Sequence, residues 1–393
     1  MTGQAPETAR FQPLALAIAG GVAFGYLAFL GQLLLTHHWF VDAGGHPLMV
    51  DFLSFWSAGH LASLGKASAA YDWTAMHRLQ TAMMGHDPGG YLGWAYPPLF
   101  FGAALVLAAM PYTPAFLTWV CVTFLLYIFT VARIARTQGA LLVMSAAPAV
   151  LACAMVGQNG FLSAALIAIV LLKLETRPLL AGLALGLLTY KPHLGLLFPV
   201  ALICGGYRRA FIAAAVSVAA VLLVSWLLAP DSLAAFFAHL GNMSDNFLSK
   251  GSEGIFKQQS LYGVMRTLGM DDRAAFGAQA VLLGAMAVFV AWLWRTDYSL
   301  ALKAAGLTVA TLLATPYLYY YDFPIISVAI AFLWRDRAFD RNETLLIVGS
   351  QLVMASFMLL DAPVGFFASL LVLAAVARRL LPVLKIAPRH RPA

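Results

Sequence analysis

Charge is scarce in this chain. Of its 393 residues only 10% are Asp, Glu, Lys or Arg, where an ordinary soluble domain carries about 25%. That shortage, with 62% hydrophobic residues and a mean hydropathy of +0.82, excludes a soluble globular protein. Cysteine is nearly absent as well. Cys121, Cys153 and Cys204 each sit inside an apolar run with no metal or redox spacing, so they read as small packing residues. No Gly-x-x-x-x-Gly-Lys-Ser/Thr loop is present, which excludes an ATP-driven pump of that type. No Asp-x-Asp occurs to bridge a nucleotide diphosphate through a metal, and no Gly-x-Ser-x-Gly elbow occurs to carry a nucleophilic serine. The nine histidines show no paired metal spacing. His37, His38 and His46 read as loop surface, no cofactor is implied, and divalent-metal dependence stays open.

What is present is a succession of long, continuous apolar runs, which predicts an all-α polytopic membrane protein rather than a barrel. The net charge of +7 does not point to nucleic acid. Lys and Arg stand singly or in pairs between the runs, which is the positive-inside pattern. Pro13–Leu35 is too long for a signal-peptide core and reads as a retained first helix, with Arg10 placing the N-terminus in the cytoplasm. Residues 36–95 then form a long first extracytoplasmic loop with two interfacial helices, 51–64 and 72–84, the second broken by Gly89-Gly90. Further runs lie at about 97–111, 114–132, 140–156, 160–174, 179–190, 194–205 and 210–229. A polar stretch, 231–273, reads as a second extracytoplasmic loop holding Asp245, Lys250, Glu253 and Lys257. Runs at 274–294, 299–315, 323–334, 343–361 and 364–382 follow, then a basic tail with Lys385 and Arg389. The whole chain, 1–393, reads as one integral membrane domain. Thirteen runs with both ends cytoplasmic conflict in parity. Either a segment of 97–156 does not cross, or Arg133 and Arg136 lie outside; about twelve crossings is the expectation.

This topology gathers polar groups at one membrane face: Asp51, Tyr96, Gln158, Asn159, Lys191, His193, Tyr317 and Asp322. A charge inside a span costs about 2.5–3.5 kcal/mol and usually marks a substrate path or an ion pair. Lys191, followed by Pro192, can meet a phosphate; it can equally snorkel to headgroups or pair with Asp322. Asp51, among Phe52, Phe55 and Trp56 at the water–lipid boundary, can be a general base or merely cap the helix after it. Asp72 reads as a helix cap. Gln158 and Asn159 can bond a sugar or satisfy a hairpin turn. The tyrosines of 317–321 read as an interfacial aromatic belt.

These residues fall into a pattern. Asp51-Phe-x-x-Phe-Trp-x-Ala-Gly59, Tyr71-Asp72, Tyr96-Pro-Pro98, Gly157-Gln-x-x-Phe161, Ala181-Gly-x-x-x-Gly186 with Lys191-Pro192, and Thr315-Pro316 occur in order. The set resembles glycosyltransferase family 87 over about 48–335. The resemblance implies a GT-C fold with a long first external loop and a catalytic aspartate near its start. It also implies an activity like that of polyprenyl-phosphate-mannose-dependent α-mannosyltransferases. Asp51 would be the base and Lys191 a contact for the donor phosphate. Relatives often carry a Ser-Pro-x-x-Trp-x-His-like run where this chain has Thr315-Pro-Tyr-Leu-Tyr-Tyr-Tyr-Asp322, without histidine.

The expected partners are a polyprenyl-phosphate sugar, a lipid or glycan acceptor and membrane lipids. The expected location is a bacterial cytoplasmic membrane, with the site facing out. The rival reading is a transporter or flippase for a lipid-linked sugar or polar lipid, built on the same buried Lys and Asp residues.

Overall fold

The computed structural model describes residues 13–90, 92–137, 139–244 and 254–384. Arg10, Asp245, Lys250, Glu253, Lys385 and Arg389 lie outside the described residues. The described chain is helical, with only isolated bridges Val41–Pro47 and Gln258–Tyr319 in place of strands. The first helices are α1 (Pro13–Leu35), α2 (Phe52–Ser63), α3 (Trp73–Met84), α4 (Phe101–Ala108) and α5 (Tyr112–Ala135). Next come α6 (Gly139–Ser145), α7 (Pro148–Val156), α8 (Gly160–Lys173), α9 (Pro178–Leu187), α10 (Phe198–Cys204) and α11 (Arg208–Leu228). The last are α12 (Pro230–Ser244), α13 (Leu261–Thr267), α14 (Asp272–Arg295), α15 (Leu300–Ala314), α16 (Pro324–Asp336), α17 (Arg341–Ala355) and α18 (Val364–Leu384).

Local chemistry sets many of these limits. Proline opens α7, α9 and α16, where its missing N–H costs nothing. The side chains of Asp72, Ser260, Asp271, Ser299 and Asp340 cap the helices that follow them. Gly85, at φ +76°, ends α3 before the Gly89-Gly90 pair that sequence alone suggested.

Four helices are long and apolar enough to cross a bilayer, α1, α5, α11 and α14, and α6 with α7 forms a fifth candidate bent by 63° at Ala146-Ala147. Leu27, Trp226, Leu228, Val281 and Val288 stand exposed on the long ones, as apolar surface does where lipid is the solvent. The shorter helices α8, α15 and α16 form the buried centre with α5.

Two faces can be told apart. Arg136, Glu175 and Arg335 interact at one of them. There Arg379 on α18 holds Glu343 through two bonds of 3.0 Å and Asp336 at 3.1 Å, and Arg337 reaches Glu343 at 2.6 Å. The opposite ends of α15 and α16 meet the hairpins at Gly157–Gly160 and Lys191–His193. Arg136 therefore shares the basic face. Helix α4 has 8 residues, about 12 Å at 1.5 Å each, and has packing neighbours at both its ends. Phe101 stacks on Trp94 at 4.9 Å, and Met110 just beyond α4 accepts a bond from Trp56 Nε1 at 3.1 Å.

The sequence pattern Ala181-Gly-x-x-x-Gly186 has a packing cause. α9 lies directly on α11, and a Cβ at Gly182 would sit 2.7 Å from both the Ala210 carbonyl oxygen and the Ala214 nitrogen. Small residues let helix backbones meet in lipid, where apolar side chains gain nothing by leaving it. Gly182→Leu is expected to force the pair apart at a cost of about 1–3 kcal/mol, read as a lower melting temperature of the detergent-solubilised protein. An unchanged melt would mean that α9 and α11 do not need this contact.

Residues 51–64 form a helix, α2, whose aromatic side is packed in protein: Phe52, Phe55 and Ala58 are fully buried. Phe52 packs on Phe116 and Tyr112, and Phe55 on Phe100 and Trp119. Gly59 explains the end of that motif, because a Cβ there would lie 2.0 Å from the Ala104 carbonyl oxygen of α4. The stretch 231–273 contains α12 and α13, with Phe236 packed against Tyr71.

Candidate active site

The loops at the face opposite the Arg379 cluster enclose a cavity of about 290 Å³. Asp51, Tyr96, Gln158, Lys191, His193, Tyr317 and Asp322 all line it. They come from five separate parts of the chain, spanning most of its length. Asn159 is buried behind the wall instead. Its backbone N–H donates to Gln158 Oε1 at 3.1 Å and its carbonyl accepts from Tyr190 Oη at 3.2 Å.

Asp51 stands directly before α2 with helical backbone angles, and its side chain makes no capping bond. The capping alternative is therefore not what the carboxylate does. It accepts a bond from Gln158 Nε2 at 3.0 Å, while Gln158 Oε1 accepts from Tyr96 Oη at 3.1 Å. The glutamine is thus held from both sides and presents its N–H to the carboxylate. Burial pushes the Asp51 carboxyl above the usual carboxylate range. The Gln158 bond, Lys257 and Lys191 pull against that rise, and Asp322 adds to it. Asp72 behaves as sequence suggested, capping α3 by accepting from the Thr74 N–H at 2.8 Å.

Lys191 and Asp322 form a buried ion pair of 2.6 Å on the same wall. Asp322 also accepts the Tyr319 N–H at 3.3 Å, closing the turn that carries both residues. The Lys191 ammonium lies over the Tyr321 ring, 5.1 Å from its centre. His193 sits beside Tyr317, with ring centres 6.1 Å apart. The turn 319–322 packs on the start of α8, where a Cβ on Gly160 would fall 1.8 Å from the Tyr321 carbonyl oxygen.

The aromatic-belt reading of 317–321 is overturned. Tyr319 is extended and leads into the 3₁₀ turn Tyr320–Asp322, which sends neighbouring rings in different directions. Tyr319 and Tyr321 line the cavity with their rings stacked at 5.4 Å, and Tyr320 points away to stack on Phe357 at 4.2 Å. Sequence reasoning missed these two tyrosines, along with Ser54, Tyr190, Phe236 and Leu240. Some signals were available. Ser54 follows Asp51 by one helical turn, and Phe236 and Leu240 are four apart on one face of α12; nothing in the sequence marked Tyr319 and Tyr321.

The cavity has a carboxylate on one side and an ammonium–carboxylate pair on another. Among the described residues no three His, Cys, Asp or Glu side chains are grouped to hold a metal ion. The family model for glycosyltransferase family 87 matches residues 94–316, more than half of the chain. The chain belongs to glycosyltransferase family 87. Comparison with curated proteins and with solved structures finds no match. This family 87 protein is a membrane glycosyltransferase, so its substrates are a sugar donor and an acceptor, and the transporter reading gives way. The matched span includes Tyr96, Gln158, Lys191 and His193; Tyr317 and Asp322 lie just past its end, and Asp51 lies well before its start.

Proposed function

We propose that this protein transfers a hexose, mannose in the first instance, from a polyprenyl-phosphate donor to an extracytoplasmic lipid or glycan acceptor. The observation that carries the reading is the uncapped Asp51, aimed into a cavity that also holds the Lys191–Asp322 pair. Asp51 takes the proton of an acceptor hydroxyl. That oxygen attacks the anomeric carbon as the bond from carbon to phosphate oxygen breaks, and the electron pair leaves with the lipid phosphate. One displacement inverts the anomeric centre, so no carboxylate nucleophile is needed. Lys191 keeps N–H donors beyond the one given to Asp322 and offers them to the phosphate. Tyr96, Gln158, His193 and Tyr317 are left to bond the sugar, with Asn159 bracing Gln158 from behind.

A lipid-linked donor fits a chain with no nucleotide-binding motif. The single membrane domain takes a GT-C-type fold in a bacterial cytoplasmic membrane, with its site facing out. α4 does not cross, and counting the bent pair once leaves twelve crossings.

The deciding experiment is transfer of label from radioactive polyprenyl-phosphate-mannose to endogenous membrane acceptors. Label is expected in product, with a rate that falls on acidification at a pH above the usual carboxylate range, because protonated Asp51 cannot act as base. Failure with mannose and with every other polyprenyl-linked hexose would overturn the reading. An acid limb at the pKa of an ordinary aspartate, about 4, would remove Asp51 as the titrating base.

A further inference from the structure

A donor phosphate meets a charge problem in this cavity. Its wall carries two carboxylates, Asp51 and Asp322, against one ammonium, Lys191. Lys191 is already neutralised by Asp322 at 2.6 Å, with both groups buried. A sugar phosphodiester brings one more negative charge, and breakage of its bond to the sugar leaves a phosphate monoester bearing a second. Hydrogen bonds from Lys191 can orient that phosphate, but they cannot balance it.

Lys257 is placed to do so. It closes the 3₁₀ turn Ile255–Lys257, its backbone N–H donating to the Gly254 carbonyl at 3.1 Å. The residues after it are pinned to the tyrosine loop of the cavity. Gln258 bridges to Tyr319 and donates to its hydroxyl at 3.0 Å, and the Gln259 N–H donates to the Leu318 carbonyl at 2.7 Å. Gln259 Oε1 further accepts the Gly365 N–H at 2.8 Å. Gln258, Gln259 and Ser260 are buried, while Lys257 is exposed and has no ion-pair partner among the described residues. An anchored backbone thus carries an ammonium with no ion-pair partner among the described residues next to the tyrosine loop of the cavity, and its charge acts on Asp51.

We propose that Lys257 binds the phosphate of the lipid-linked donor at the mouth of the cavity, supplying the positive charge that the Lys191–Asp322 pair does not. This rests on the polyprenyl-phosphate donor proposed above. It divides the work between two lysines. Lys191 holds the turn and directs donors, and Lys257 attracts the anion and balances the charge of the leaving group.

The test measures binding of polyprenyl phosphate, polyprenol and inorganic phosphate to the purified full-length protein in nanodiscs, followed by sugar transfer in the same preparations. Lys257→Met removes a charge-assisted hydrogen bond to the phosphate and is expected to weaken polyprenyl-phosphate binding about tenfold or more. Binding of polyprenol should not change, and the salt dependence of polyprenyl-phosphate binding should flatten. Lys257→Arg should restore both affinity and salt dependence, which a merely structural role would not do. Tighter binding of the lipid than of inorganic phosphate identifies the lipid-linked anion as the ligand, and equal binding of the two overturns that identity. Equal affinity of Lys257→Met and wild type overturns the role of Lys257. A wild type that does not distinguish polyprenyl phosphate from polyprenol overturns both this role and the donor reading. If wild type binds, Lys257→Met does not, and no sugar moves, Lys257 stands and sugar transfer falls.

Discussion

Asp51→Asn protein is expected to fold and to transfer no sugar. General-base catalysis is typically worth about 10²–10⁴-fold in rate, and an asparagine amide cannot take the acceptor proton. Its Oδ1 can still accept the Gln158 Nε2 bond now made at 3.0 Å, so the Tyr96–Gln158–Asn159 arrangement is kept. The variant also has a stability signature that separates chemistry from folding. Burial raises the Asp51 pKa above its value in the unfolded chain. Below the unfolded pKa both states are protonated and nothing is lost; as the pH rises past it, the folded state holds a carboxylate it disfavours. Asp51→Asn removes that burden. It should melt at the same temperature as wild type or higher at neutral pH, with the gap closing on acidification. An inactive variant that also melts early would assign Asp51 to structure. An active one would remove it as the base.

Helix positions were legible because hydropathy is a local property. The run read at 160–174 is α8, Gly160–Lys173, and the run at 274–294 is α14, Asp272–Arg295. The site was legible in its residue types for a related reason. Carboxylates and ammonium groups are so costly in an apolar chain that each one kept there calls for an explanation. What could not be read was which group faces which. Nothing in Asp51-Phe-Leu-Ser tells whether the carboxylate turns back on its own helix or reaches Gln158, which is 107 residues away. Phe52 and Phe55 look the same to a sequence reader whether they meet lipid or Phe116 and Phe100. The tyrosine run misled because its composition suits a membrane interface, while the turn it forms sends Tyr319 and Tyr321 into the cavity and Tyr320 into the core. α12 was hidden by the polar residues beyond it, although Phe236 and Leu240 keep helical spacing.

Asp322→Asn is expected to destabilise the protein far more than any change at Asp51. It strands the Lys191 ammonium, which is 6% exposed, and breaking one side of a buried pair costs about 3–5 kcal/mol. The loss spreads, because Asp322 also holds the Tyr319 N–H and thereby the turn that lines the cavity. Thermal denaturation of the solubilised variant should show a lower melting temperature, and a wild-type melt would mean that water already screens the pair. The double variant Lys191→Met with Asp322→Leu separates fold from function. Replacing a buried ion pair by apolar groups is often neutral or stabilising, by about 1–4 kcal/mol, so the double variant should regain much of the lost stability. It should not regain transfer, because no N–H donor is left at position 191 to direct the phosphate. Recovery of both would make the pair a packing device alone and leave the donor phosphate to Lys257. Recovery of neither would mean that the turn from Tyr319 to Asp322 cannot form without its carboxylate, so the ion pair builds the wall of the site.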